Sequence, residues 1–196
     1  MLGSLTSVLA APLLGLLVLI AIPSSSPRRI KLWANIASFV SAMLTLLPAL
    51  TFNNNQDFQF VEKLPWIPSL GASYHIGLDG ISLPLIMMTG FITFLAILSS
   101  WNAIATREKE YYGWFLFLQF AMTGVFLALD FLLFFVFWEM VLIPMYFIIA
   151  IWGGERRAYA SMKFLIYTVV GSVLVLAGSY VLGSRALERF EIGERA

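Results

Sequence analysis

Apolar residues gather into six stretches: Leu2–Ile22, Ile30–Phe52, Ile81–Trp101, Tyr111–Leu129, Phe131–Trp152 and Ser161–Gly183. Short polar segments separate them. A bilayer core of ~30 Å takes about 20 apolar residues as a helix. The pattern therefore predicts an all-α, polytopic bundle of about six transmembrane helices. Residues 1–80 hold two helices and a long outer loop, 81–183 hold four more, and 184–196 form a polar tail.

The connections sharpen this picture. Asn53–Gly80 is the one long loop, with the tract NNNQD, Pro65, Pro68 and the turn dipeptide Asp79-Gly80. Lys63, Trp66 and Tyr74 suit a membrane interface. Leu129-Asp130 is so short a link that the stretches on either side must run antiparallel as neighbours. Gly153-Gly154 ends the fifth stretch and opens a second hairpin. Trp101, Trp114 and Trp152 fall near helix ends, where an aromatic belt places them. Trp138 falls at mid-membrane and is expected to pack inside the bundle.

Charge sets the orientation. Arg28, Arg29 and Lys31, then Arg107 and Lys109, then Arg156 and Arg157 follow the first, third and fifth stretches. The other side carries Lys63 and three arginines of the tail. The positive-inside rule makes the odd loops cytoplasmic, stromal or matrix-facing. No basic residue precedes the first apolar run, so it reads as an uncleaved helix with its N-terminus outside. The chain is 60% hydrophobic and 12% charged, against roughly 45–50% and 25% for a soluble domain. With no cysteine and one histidine, it offers no thiolate or all-histidine metal site and no Cys nucleophile. No Gly-rich phosphate loop is present.

Glu139 stands alone as a charge within FLLFFVFWEMVLIPMYFIIAIW. A carboxylate near the bilayer centre costs at least ~2.5 kcal/mol on insertion scales. Such an acid reads as a proton or ion relay; the alternative is a protonated carboxyl hydrogen-bonded between helices. Pro144 leaves the Met140 carbonyl without its helical donor, which predicts a kink and local hydration beside the acid. Lys163, in MKFLIYT, is a second candidate. It is either part of a water-linked relay or a lysine that snorkels to the interface; a direct salt bridge to Glu139 is not expected. Asp130 reads as an outer turn residue. His75 and Asp79 read as structural, Arg156 and Arg157 as topological. Gln119 and Thr123, four apart, read as packing or as a polar seam.

The stretch DFLLFFVFWEMVLIPMYFIIAIWGGERRAYASMKFLIYT (Asp130–Thr168) resembles the antiporter-like chain M (subunit 4) of proton-pumping NADH–quinone oxidoreductase, respiratory complex I. WIPSLGASYHIGLDGISLPLIMMTGFITFLAILSSW (Trp66–Trp101) resembles the same chain. The likeness spans about 66–183 and implies relatedness to cation/proton antiporter subunits. It implies a place in the membrane arm, beside other membrane-arm and peripheral subunits, in a plasma or inner membrane, or a thylakoid or mitochondrial one. It implies no cofactor on this chain; NADH, FMN, iron–sulfur clusters and quinone belong to the rest of the complex. Nucleic acid is not an expected partner. The family's membrane glutamate falls at Glu139, and the lysine of its KF-[FIL]-[IL]-Y-T motif at Lys163.

Family members run to about fourteen helices in two inverted repeats. Six are expected here, without the lysine of the seventh helix, the broken eighth helix or the second repeat. A truncated gene, a split subunit or a short form would each account for that. Three functional readings follow: a redox-coupled proton-pump subunit, a subunit of a multi-chain cation/proton antiporter, and a non-pumping structural fragment.

Overall fold

The computed structural model describes residues 5–53 and 58–193, with the backbone alone at 70, 180 and 182–193. The expected helix start at Leu2, most of the NNNQD tract and the end of the polar tail lie outside the described residues. The elements in order are α1 (Leu5–Ala21), α2 (Pro27–Leu44), α3 (Leu46–Thr51), β1 (Gln59–Ile67), β2 (Ala72–Leu78), α4 (Ser82–Ser99), α5 (Glu108–Leu127), α6 (Phe131–Trp152) and α7 (Arg157–Gly193). The chain divides into two compact units, residues 1–148 and 149–196.

Among the described residues, four helices are long and apolar enough to cross a membrane: Pro27–Thr51, Ser82–Ser99, Phe131–Trp152 and Arg157–Ser179. α1 is apolar, with 17 described residues. α5 opens on Glu108 and Glu110 and is the central helix of the first unit, packed against α1, α2 and α4. Gln119 and Thr123 of this helix are buried and so face protein rather than lipid.

Small residues set the crossings. Lipid tails are as apolar as leucine, so helices in a membrane associate through close packing. A Cβ on Gly15 would lie 2.7 Å from the Ala37 Cβ, and one on Gly90 would lie 3.0 Å from the Ala42 Cα. These contacts mark the α1–α2 and α2–α4 approaches. At Gly15 the Trp33 indole Nε1 also donates to the backbone carbonyl at 2.9 Å. On α5, Gly124 receives the Phe137 ring of α6.

The long loop is a β-hairpin, which the reading of the sequence as all-helical missed. β1 and β2 pair antiparallel, with Lys63 opposite His75 and Leu64 opposite Tyr74. A 3-10 turn over Pro68–Leu70 joins them. It ends at Gly71 with φ 67°, a left-handed conformation that glycine adopts at no steric cost. Two β-prone runs flanking P-S-L-G were the available signal.

The hairpin is stitched to one end of the bundle. Glu62 accepts from the Thr6 N–H at 3.3 Å and from the Thr6 hydroxyl, which also meets the Tyr74 hydroxyl at 2.9 Å. The Leu129 N–H donates to the His75 carbonyl at 2.8 Å. Asp79 stays local: its carboxylate accepts from the N–H groups of Ile81 and Ser82 at 3.2 and 2.6 Å, at the start of α4.

In the second unit, α6 ends at Trp152 and Gly153 follows, its N–H bonded to the Ile149 carbonyl at 3.0 Å. The Arg157 guanidinium covers the Ile151 carbonyl at 2.7 Å. The helical backbone of α7 runs to Gly193, through the tract read as a polar tail.

Candidate proton-relay site on α6

α6 is built from the register of its contacts with α5. Phe137 packs edge-on to Phe120 at 5.6 Å, and Phe147 stacks on Trp114 at 4.7 Å and 9°. As α6 residue numbers rise, their α5 partners fall, so the two helices run antiparallel, as the two-residue link requires. Leu133 and Phe137 join the core cluster and Met140 packs against it. Pro144 is buried, and the helix continues through it to Trp152.

Glu139 follows Phe137 by two residues, about 200° around the helix. Phe147, which also meets α5, lies about 80° from it around the helix, so Glu139 flanks the stripe that packs on α5. The acid lies about 12 Å along the axis from Phe131. Its Oε1 is buried and accepts no hydrogen bond from any described residue. A buried acceptor without a donor carries the desolvation penalty of the group, so this oxygen is a place for a donor from water or a partner.

Trp138 corrects an expectation. It is 45% exposed, with its ring tilted against Phe134 at 5.8 Å. Phe137 takes the inward position over Gly124, and the next residue points some 100° away from it.

Lys163 lies in the second unit and is exposed. Its ammonium sits 5.6 Å from the ring centroids of both Tyr159 and Tyr167, one turn to either side on α7. Among the described residues it forms no salt bridge. The rings hold the cation on its own helix surface by cation–π attraction. Glu139 and Lys163 thus belong to different units.

The other candidates divide. Asp130 does more than turn the chain. Its Oδ1 accepts from the N–H groups of Leu132 and Leu133 at 2.9 and 3.2 Å, capping α6. Gln119 and Thr123 are both buried on α5.

Sequence reasoning gave Lys31, Arg107 and Lys109 a topological role only. The fold gives two of them specific work at the end opposite the hairpin. The Lys31 ammonium meets Glu108 at 3.1 Å, with both side chains largely buried. It also donates to the carbonyls of Trp101 and Ile104 at 2.8 and 3.1 Å. Lys109 caps the end of α1 through the carbonyls of Ile20 and Ile22 at 2.7 and 2.8 Å. A lysine at the start of one apolar stretch and a glutamate just before another were the sequence signal.

Residues 11–130 match the family described as NADH-ubiquinone oxidoreductase chain 4, amino terminus. The chain belongs to that family. Residues 128–189 match a second, NADH:quinone oxidoreductase/Mrp antiporter, TM, and Glu139 and Lys163 both fall within it. NAD(P)H-quinone oxidoreductase chain 4 1 of Picosynechococcus is 40% identical over 91% of this chain and 34% of its own length. F(420)H(2) dehydrogenase subunit M of Methanosarcina mazei is 41% identical over 79% of this chain and 31% of its own. A chain of respiratory complex I from Thermus thermophilus with bound NADH superposes with a TM-score of 0.74 at 27% identity, covering 90% of this chain and 34% of that one. A chain of the Mrp complex from Dietzia shares the fold, with a TM-score of 0.64 at 23% identity over 85% of this chain and 18% of that one. This chain 4 family member therefore spans about a third of the length of the relatives it matches. It is a multi-pass membrane protein of the antiporter-like class.

Proposed function

We propose that this chain is a membrane-arm subunit of an NADH–quinone oxidoreductase and couples electron transfer from NADH to quinone with proton translocation. Glu139 stores the proton in transit. The observation that carries this reading is a buried, donorless carboxyl oxygen at membrane depth, inside the segment matched to the quinone oxidoreductase/antiporter family. An intramembrane acid of this kind marks a proton or ion path by default. Lys163, in the same matched segment, is the second proton-relay candidate. NADH, FMN, iron–sulfur clusters and quinone act on other subunits of the assembly, with which this chain packs through its exposed apolar faces.

The match to the antiporter family over 128–189 supports a second reading, ion exchange driven by gradients without redox. Mass spectrometry of the assembly captured through this chain separates the two. NADH-oxidising peripheral subunits support the pump, and antiporter subunits alone move the function to exchange. In the assembled complex, Glu139→Gln lowers proton translocation by roughly a hundredfold, the low end of what a positioned acid–base group supplies, with assembly intact. Unchanged pumping would remove Glu139 from the mechanism.

A further inference from the structure

We propose that the interface of α2, α4 and α5 is a hydrated polar seam, filled by ordered water and open at the basic end of the bundle. It is separate from Glu139. Gln119 lies on a different side of α5 from Gly124, which receives α6, so the seam stands or falls apart from the relay.

The seam is lined by buried polar side chains: Asn35, Ser38 and Ser41 of α2, Thr89 of α4, and Gln119 and Thr123 of α5. The three helices pack against one another pairwise. Asn35, Ser38 and Ala42 share one face of α2, and Ala42 meets Gly90 of α4. Tyr112, Gln119 and Thr123 share one face of α5, and the Tyr112 hydroxyl reaches the Ser100 carbonyl just past α4 at 3.3 Å.

The hydroxyl hydrogens of this lining are already committed to backbone carbonyls. Ser38 gives its hydroxyl hydrogen to the Asn35 carbonyl at 3.1 Å, Ser41 to Ala37 at 2.8 Å, Thr89 to Leu85 at 2.8 Å and Thr123 to Gln119 at 2.8 Å. Each hydroxyl then offers only lone pairs. The Asn35 Oδ1 and Gln119 Oε1 are buried and accept no hydrogen bond from any described residue; Gln119 is 1% exposed and Asn35 8%. Buried polar groups in native structures are paired, with water where protein does not supply a partner. The unpaired amide oxygens and the hydroxyl lone pairs call for a small molecule that can donate twice. Water fits. A bare cation does not, because the one acid at the seam, Glu108, is already neutralised by Lys31.

The entrance lies at the basic end. A cavity of about 400 Å³ there is lined in part by Pro27, Ile30, Arg107 and Glu108. Glu108 turns one carboxyl oxygen to Lys31; the other is buried without a donor. One turn deeper, the Asn35 amide donates to the Lys31 carbonyl at 2.9 Å. Polar groups therefore continue from the cavity to Asn35, and Ser38 lies one turn beyond.

The chain contains no cysteine, so single thiols can be read by the mass of this chain. The test places Ser38→Cys, or Leu116→Cys as a packed control at 0% exposure, in the assembled complex in sealed vesicles. Silver ion is applied to one face in chloride-free buffer. The complex is then denatured and remaining thiols are tagged with a maleimide. Silver at the basic face is expected to abolish tagging of Ser38→Cys and to leave Leu116→Cys tagged. Full tagging of both, or protection of Ser38→Cys from the opposite face only, would overturn the seam. Should Ser38→Cys fail to assemble, Ser41→Cys carries the same test with the same outcomes.

Discussion

Asp130, between α5 and α6, accepts hydrogen bonds from both the N–H and the hydroxyl of Ser73 on β2, at 3.0 and 3.2 Å, on one carboxyl oxygen. Its other oxygen caps α6. One side chain thus joins the hairpin to the start of the helix that carries Glu139.

Asp130→Ala should destabilise the first unit by about 1–2 kcal/mol, the upper range for losing a helix cap, seen as a lower unfolding midpoint in mild detergent. Burial pushes the Asp130 carboxyl up, but the N–H groups of Ser73, Leu133 and Leu132 outweigh it and hold the group below its ordinary value. A depressed carboxyl stabilises fully above the unfolded value, about 3.9. That stability is lost as pH falls through the lower folded value. Asp79 is depressed as well, by hydrogen bonds from Ser82. Stability should therefore fall below about pH 4, and less steeply in Asp130→Asn. Parallel curves for the two proteins would mean that Asp130 makes no pH-dependent contribution.

Lys31 and Glu108 bring α2 and α5 together at the basic end. Lys31→Met strands a buried carboxylate and two carbonyls, so it should cost about 3 kcal/mol or more. Glu108→Gln should cost less, because the amide still accepts from Lys31. In a double-mutant cycle the pair should couple by about 1–3 kcal/mol. Additive single-variant losses would show that the contact contributes no pairwise stability.

Gly15 and Ala37 touch at the α1–α2 crossing. Gly15→Ala should cost about 1–3 kcal/mol as overpacking between rigid helices. Ala37→Gly in the same chain removes the opposing Cβ and should restore much of the loss. Failure of that rescue would place the strain elsewhere.

Glu139 and Lys163 should differ in weight. Lys163 is exposed and held by two tyrosine rings of its own helix, whereas Glu139 has a buried oxygen without a donor. Lys163→Met is expected to reduce proton translocation less than Glu139→Gln, measured in the same vesicles at equal assembly. The reverse order would make the lysine the more important group of the two.

The apolar stretches were legible because their signal is local. Phe131–Trp152 was read from composition and forms α6 with the same bounds; the antiparallel packing of α5 and α6 followed from the brevity of their link. The isolation of Glu139 was equally plain, since one acid among apolar neighbours needs no partner to be noticed. The hairpin was hidden because its nine- and seven-residue strands lie in a loop whose prolines and Asp-Gly read as irregular.

Partners across the bundle were beyond the sequence. Lys31 read as a loop charge until α2 and α5 brought it to Glu108. Asp130 read as a turn until β2 reached it, and Trp138 read as packed until Phe137 claimed the inward side. By itself the sequence determined where the apolar stretches lie, which loops are basic and where Glu139 stands among apolar neighbours, because hydropathy and charge act on each segment separately. Tertiary structure alone decided which buried oxygens find donors and which do not, because a hydrogen bond requires two groups from distant segments to meet within about 3 Å.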